Sequence, residues 1–249
     1  MFQQERLDEI MKILTKNHYV TVDFLVREIK YSPASIRRDL TLLEKQGLVK
    51  RSYGGVTLGD ANYSPFRFRQ HSMKAAKNAM AKKAATLVKD GDVVYVDGST
   101  TAQYIGQYLL DKKDITVITN NMYLAEFMSD NGINVYSTGG KVVEAPCVLG
   151  GDIMLKNARG FSVDIAFFSS TSLSSNGKIL TPNEREVQEF QLYRNFSKTL
   201  VYICASDKFN GKAAFVPLTL ADIDYFVSDG ELPEELKNKF KNITFISAK

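Results

Sequence analysis

The sequence predicts an α/β fold in two parts: a small helical unit carrying a β-wing, then a larger α/β domain on a mainly parallel sheet. Three observations carry that prediction. Apolar residues recur at helical spacing through the first 50 positions, and from Val93 onward short, wholly apolar runs alternate with helical stretches. Between the two, Gly59, Asp60, Asn62, Ser64 and Pro65 are turn formers among which no periodicity survives. A chain of 249 residues, 44% hydrophobic and 24% charged, is long enough for both parts, and its composition excludes a disordered tail, a collagen or a coiled-coil rod.

Taken in order, Leu7, Ile10, Met11 and Leu14 form one apolar stripe and predict a helix over residues 4–15. Thr21 is placed to cap a second helix that turns Phe24, Leu25 and Ile29 inward and ends near Lys30-Tyr31. Ser32 offers a capping hydroxyl to a third, with Pro33 at the first helical position, where its missing N–H costs nothing. Ile36, Leu40 and Leu43 are its buried stripe, Ser35, Arg37 and Arg38 lie off it, and Gly47 stops it. Leu48 to Tyr53, then Gly54-Gly55 and Val56 to Leu58, read as a two-stranded wing with a glycine turn.

After the turn-rich tract a helix over residues 71–88 leaves Lys74, Lys77, Lys82 and Lys83 exposed. Strands follow over residues 93–97, 115–119, 133–137, 163–168, 200–205, 225–228 and 244–246, with helices over 101–110, 123–131, 184–196 and 233–240. Strands that are apolar on both faces belong to a parallel sheet covered on both sides.

Charge is unevenly distributed: residues 1–90 hold 17 Lys/Arg against 9 Asp/Glu, and residues 91–249 hold 15 against 19. The basic end is therefore the one that meets a polyanion. Cys147 and Cys204 are 57 positions apart in apolar surroundings and the histidines, His18 and His71, lie elsewhere, so neither a disulfide nor a metal site is expected, and no cofactor is called for. No apolar run approaches the roughly 20 residues of a membrane span, and the first residues carry no signal-peptide pattern, so a cytoplasmic protein without a membrane partner is expected.

Two constellations carry chemistry. A short helix pair followed by a helix with consecutive arginines on its open face is what major-groove reading requires, since the guanidinium fork fits guanine O6/N7 or phosphate oxygens. Ser32, Ser35, Arg37 and Arg38 on that helix, with Lys50, Arg51, Tyr53 and Gly54 on the wing, are the candidate contacts to double-stranded DNA. The second is Asp97-Gly98-Ser99-Thr100-Thr101, a loop of small polar residues between a strand and a helix, suited to a phosphate or a sugar hydroxyl. Thr119-Asn120-Asn121 and Gly139-Gly140 follow the next two strands, and in a parallel sheet these strand ends fall on one edge, where ligands bind.

The run Ser32-Pro33-Ala34-Ser35-Ile36-Arg37-Arg38-Asp39-Leu40, then Leu43, Gly47 and Leu48 to Val56, resembles the N-terminal signature of the DeoR family of bacterial transcriptional regulators, a winged helix-turn-helix. The resemblance continues through the strand-end loops, Gly150, Val163 to Phe167, Gly177, Thr181-Pro182-Asn183, Glu186, Lys208-Phe209 and Asp222 to Asp224. These positions look like the family's sensor domain, which is related in fold to ribose-5-phosphate isomerase and to CoA transferases. The resemblance implies a winged helix-turn-helix over residues 1–57, a linker over 58–70, and an isomerase-like effector-sensing and oligomerisation domain over 71–249. It makes the third helix the recognition helix, with Asp39 as an intramolecular partner orienting one of the two arginines. It also implies a phosphorylated sugar effector, held by Asp97 to Thr101 and faced by Asp164, Glu186 and Lys208.

Two departures from the family stand out: Val142-Val143 where an arginine often follows the glycine pair, and Ala205 where an aspartate often precedes the Ser-Lys-Phe run. A sugar-phosphate isomerase with a helical appendage is the alternative, but such enzymes carry an Asp-Gly-Ala-Asp stretch where this chain has Asp164-Ile165-Ala166-Phe167, so the second acid is lost. The expectation is a DNA-binding regulator, a repressor of a sugar-metabolism operon rather than an enzyme. It acts as a homo-oligomer, dimer or tetramer, since one small winged unit makes too few contacts on DNA.

Overall fold

Local capping sets the first unit. In the computed structural model, which describes residues 3–17, 19–52, 55–59, 66–144 and 147–249, the chain divides into two compact units, Met1–Ser72 and Met73–Lys249. The first holds helices α1 (Gln3–Asn17), α2 (Val22–Ile29) and α3 (Pro33–Lys45). Thr21 Oγ1 accepts from Phe24 N at 3.1 Å to cap α2, and Ser32 Oγ accepts from Ser35 N at 3.2 Å to cap α3. The wing strands β2 (Val49–Ser52) and β3 (Gly55–Leu58) pair antiparallel as expected, and β3 also pairs with a short strand β1 (Tyr19–Val20) that the sequence did not signal. Leu7, Ile10, Leu14, Leu25, Ile29, Ile36, Leu40, Leu43 and Val56 form one buried core, which a unit this small needs in full.

The predicted linker lies partly outside the described residues, and its end is helical: α4 (Phe66–His71) precedes α5 (Lys74–Ala85), and the two replace the single helix expected over 71–88. Met73, at φ 50°, separates them.

The second unit is built on seven parallel strands in the order β15-β14-β12-β9-β4-β5-β6. These are β4 (Val93–Val96), β5 (Thr116–Thr119), β6 (Asn134–Ser137), β9 (Val163–Phe168), β12 (Ser197–Ile203), β14 (Tyr225–Ser228) and β15 (Thr244–Ser247). Alternate residues feed opposite cores: Val94, Val96, Ile165 and Phe167 pack on one face, Tyr95, Ala166 and Phe168 on the other. The chain winds outward from β4 through β5 and β6, then crosses to β9 and winds the other way. Strand direction of progress therefore reverses between β4 and β9, which is where a crevice opens in such sheets.

Helices α6 (Met122–Asp130), α8 (Glu184–Phe196) and α9 (Glu234–Lys239) follow the prediction. The segment after Thr101 is a 3-10 helix over Ala102–Tyr108, not the α-helix expected. A hairpin of β7 (Lys141–Glu144) and β8 (Val148–Gly150), helix α7 (Asp152–Ala158), and a small antiparallel sheet of β10 (Ser172–Leu173), β11 (Lys178–Thr181) and β13 (Phe215–Thr219) carry no sequence prediction. Both cysteines are buried free thiols, and among the described residues no helix is long and apolar enough to cross a membrane.

Candidate recognition helix and effector crevice

In α3 the apolar stripe faces the core and leaves Arg37 and Arg38 exposed beside each other. Ser32 and Ser35 sit at its N-terminus, their hydroxyls 3.0 Å apart. Asp39 makes no direct bond to either arginine. It is fully buried and binds Arg6 of α1, Nε to Oδ2 at 2.5 Å and Nη2 to Oδ1 at 3.1 Å, with Gln3 Nε2 donating to Oδ1 at 3.2 Å. A carboxylate at that depth needs a fork-shaped cation, and the neighbouring arginines point outward. On the wing, Lys50 is exposed, while the Arg51 guanidinium folds back to Thr41 Oγ1 at 3.0 Å and its backbone N–H donates to Glu44 Oε1 at 3.2 Å. Tyr53 and Gly54 lie outside the described residues.

The crevice expected between β4 and β9 lies at their carboxyl ends, where the loop after β4 and the end of β9 are tied together. Asp97 is buried and its carboxylate accepts from Ser99 Oγ at 2.5 Å, Ser99 N at 3.0 Å and Ser169 N at 3.3 Å, so it ties the loop after β4 to the end of β9. Burial pushes its pKa up to about 7, helped by the negative charge of Glu186, while the bonds from Ser99 and Ser169 oppose the rise. Ser99 Oγ in turn accepts from Ala102 N at 3.0 Å. Gly98 is required here because a Cβ would lie 2.6 Å from Val148 Cγ1 of β8, which the hairpin lays against the loop.

Thr100 and Thr101 are buried. Lys77 Nζ, on α5, donates to Thr100 Oγ1 at 3.2 Å, and Thr101 Oγ1 has no hydrogen-bond partner among the described residues. Lys77 is 4% exposed, against the sequence expectation of a solvated lysine. It lies on the same side of α5 as the buried Met80, Ala81 and Ala84, so the helical spacing did signal its burial and only its charge suggested solvent. It is a buried cation that sequence reasoning missed.

The next strand ends are builders of the crevice. Thr119 Oγ1 donates to Val96 O at 2.7 Å, Asn120 Nδ2 donates to Leu149 O at 2.9 Å and its Oδ1 accepts from Tyr95 OH at 3.3 Å. Asn121 Oδ1 caps α6 by accepting from Tyr123 N and Leu124 N. Gly139 and Gly140 have φ of 66° and 114°, and a Cβ on Gly140 would lie 2.7 Å from Gly150 O. After β9, Lys208 Nζ donates to Ser169 Oγ at 2.9 Å and Ser170 O at 2.7 Å. Glu186 accepts from Thr181 Oγ1 and from Asn183 Nδ2 at 2.9 Å. Beside it Arg185 Nη1 donates to Glu189 Oε1 at 2.6 Å, and burial raises the Glu189 pKa to about 7, with Arg185 opposing.

Asp164 is not brought to this crevice. It stands near the start of β9, accepting from Val93 N at 2.9 Å and Lys198 Nζ at 2.6 Å, at the opposite end of the strand from Ser169. The cation of Lys198 lowers its pKa. Phe167 is fully buried in the apolar core.

Residues 6–61 match the DeoR-like helix-turn-helix domain and residues 72–230 match the DeoR C-terminal sensor domain. The chain is 32% identical to the HTH-type transcriptional regulator YgbI of Escherichia coli K12, over 94% of this chain and 92% of that protein. It is 29% identical to the HTH-type transcriptional repressor GlcR of Bacillus subtilis, over 94% and 91% of the two chains. Among solved structures it is similar to ribose 5-phosphate isomerase A from Methanocaldococcus jannaschii, at 17% identity and a TM-score of 0.41 over 55% of each chain.

Proposed function

This chain belongs to the DeoR family of helix-turn-helix transcriptional regulators, and on that premise we propose that it is a repressor of a sugar-metabolism operon whose hold on DNA responds to a phosphorylated sugar. Residues 1–57 form the DNA-binding domain, 58–70 the linker and 71–249 the effector-sensing and oligomerisation domain. Arg37 and Arg38 of α3 read the operator, Ser32, Ser35 and Lys50 meet phosphates, and Arg51 fixes the wing to α3.

The observation that carries the effector reading is the buried ammonium of Lys77 at Thr100, in the loop after β4 on the sheet edge where strand progress reverses; the next residue, Thr101, has a buried hydroxyl without a partner among the described residues. An ammonium hydrogen-bonded to a threonine in a loop of small polar residues suits a phosphate monoester, whose sugar body lies along the strand ends. Lys208 on the far wall faces the sugar end. Asp97, Asn120, Asn121 and Glu186 have their oxygens and amides committed to holding the walls, so their role is to shape the crevice. A repressor is released when its ligand shifts the protein toward a form that binds DNA less well.

The experiment is an operator titration with the Thr100→Asp variant, which places a carboxylate against Lys77 where the phosphate should lie. Operator affinity should match wild type and the response to sugar phosphates should vanish. An unchanged midpoint for the same effector would place the phosphate elsewhere.

A further inference from the structure

The recognition helix is held in rotation about its own axis by a polar clamp that lies outside the residues meeting DNA. Asp39 is the third member of the Arg37-Arg38-Asp39 triplet, and it faces the core alongside Ile36, Leu40 and Leu43 while the two arginines face out. Its partner, Arg6, is 33 positions earlier on α1, binds it through two nitrogens, and lies over the Tyr31 ring with its guanidinium carbon 4.7 Å from the centroid. Gln3 adds a third donor to the same carboxylate. On the other flank of α3, Arg51 of the wing reaches Thr41 and Glu44.

Apolar stripes alone define helix rotation loosely, because methyl groups pack over a range of angles, whereas a two-nitrogen fork on a carboxylate tolerates little. At the outer surface of a helix, about 6 Å from its axis, a turn of about 20° moves a side-chain end by about 2 Å. That displacement is larger than the distance range of a good hydrogen bond, so it breaks base-edge contacts while leaving attraction to phosphates nearly intact.

We propose that Arg6 and Asp39 are positioning residues that set the angle at which Arg37 and Arg38 are offered to the major groove, and thereby determine sequence discrimination rather than overall DNA affinity. The inference rests on the reading of α3 as the recognition helix.

The test uses the full chain. The wild type selects its preferred duplex from a random library, and affinities for that duplex and for a scrambled one of equal length are then measured over a salt series. Arg6→Lys keeps the charge but loses the fork and the stacking plane. A double variant, Arg6→Met with Asp39→Leu, replaces the buried pair by apolar packing, an exchange that folded proteins commonly tolerate. Both are compared with wild type well below their melting temperatures.

The expected result is a fall of about 5- to 150-fold in discrimination, the equivalent of losing one base-reading arginine, with the salt slope and the affinity for scrambled duplex unchanged. Folded variants that discriminate as wild type does overturn the inference alone. A wild type that enriches no duplex at all overturns the recognition-helix reading, and the inference with it.

Discussion

Asp97 is the residue whose ionisation most directly marks the crevice. Its folded pKa of about 7 stands above the ordinary 3.8 of an aspartate. From about pH 4 to pH 7 the folded chain therefore holds a proton that the unfolded chain has lost, so this group's contribution falls as pH rises and the penalty is complete above pH 7. Asp97→Asn removes that term. Thermal unfolding of the sensor unit should show the variant gaining on wild type from pH 5 to pH 8, and a constant difference across that range would mean that Asp97 is solvated. Lys77 teaches the same lesson from the opposite charge. On α5 it lines up with the buried Met80, Ala81 and Ala84 and not with the exposed Lys82 and Lys83, and its hydrogen-bond partner is a threonine 23 positions later that no helical pattern contains. Asp39 failed for a similar reason: its partner sits on another helix, while sequence reasoning looked to its neighbours.

The helices of the first unit were readable because a cap, an apolar stripe and a stop signal are all local, and Thr21, Ser32 and Gly47 each supply one within a turn of the helix they bound. The parallel strands were readable for their continuous apolar runs. The hairpin of β7 and β8 was not, because Lys141 to Glu144 is short and largely exposed and its place is fixed by long-range bonds such as Leu149 N to Asn120 O at 2.9 Å. Helix α3 gives the element-scale prediction. Arg37→Ala and Arg38→Ala should each weaken operator binding, by about 1–3 kcal/mol of discrimination for a base contact, or uniformly across sequences with a salt slope lowered by roughly one for a phosphate contact. Gel-shift titrations in which both variants bind as wild type does would remove α3 from the interface.

At the scale of the whole molecule, a single winged unit offers one short helix to DNA, and two-fold pairing doubles the contacts on repeated half-sites. Light scattering should find a dimer or larger at micromolar concentration, and an isolated residue 71–249 fragment should retain it; a monomer with and without DNA would contradict this. The second unit begins at Met73 and leads at once into α5, whose Lys77 donates to Thr100 of the proposed effector loop. An effector that draws on Lys77 thus acts four residues from that boundary, and it shifts DNA affinity only by as much as it prefers one arrangement of the chain over the other.

Operator affinity measured with and without a panel of sugar phosphates, in wild type and in Lys77→Met, tests this most directly. The account predicts a 5- to 150-fold change for at least one sugar phosphate in wild type, the span of a coupling of about 1–3 kcal/mol, and a variant that binds operator as tightly as wild type but does not respond. An equal response from Lys77→Met, or an operator affinity that no sugar phosphate alters, would contradict it.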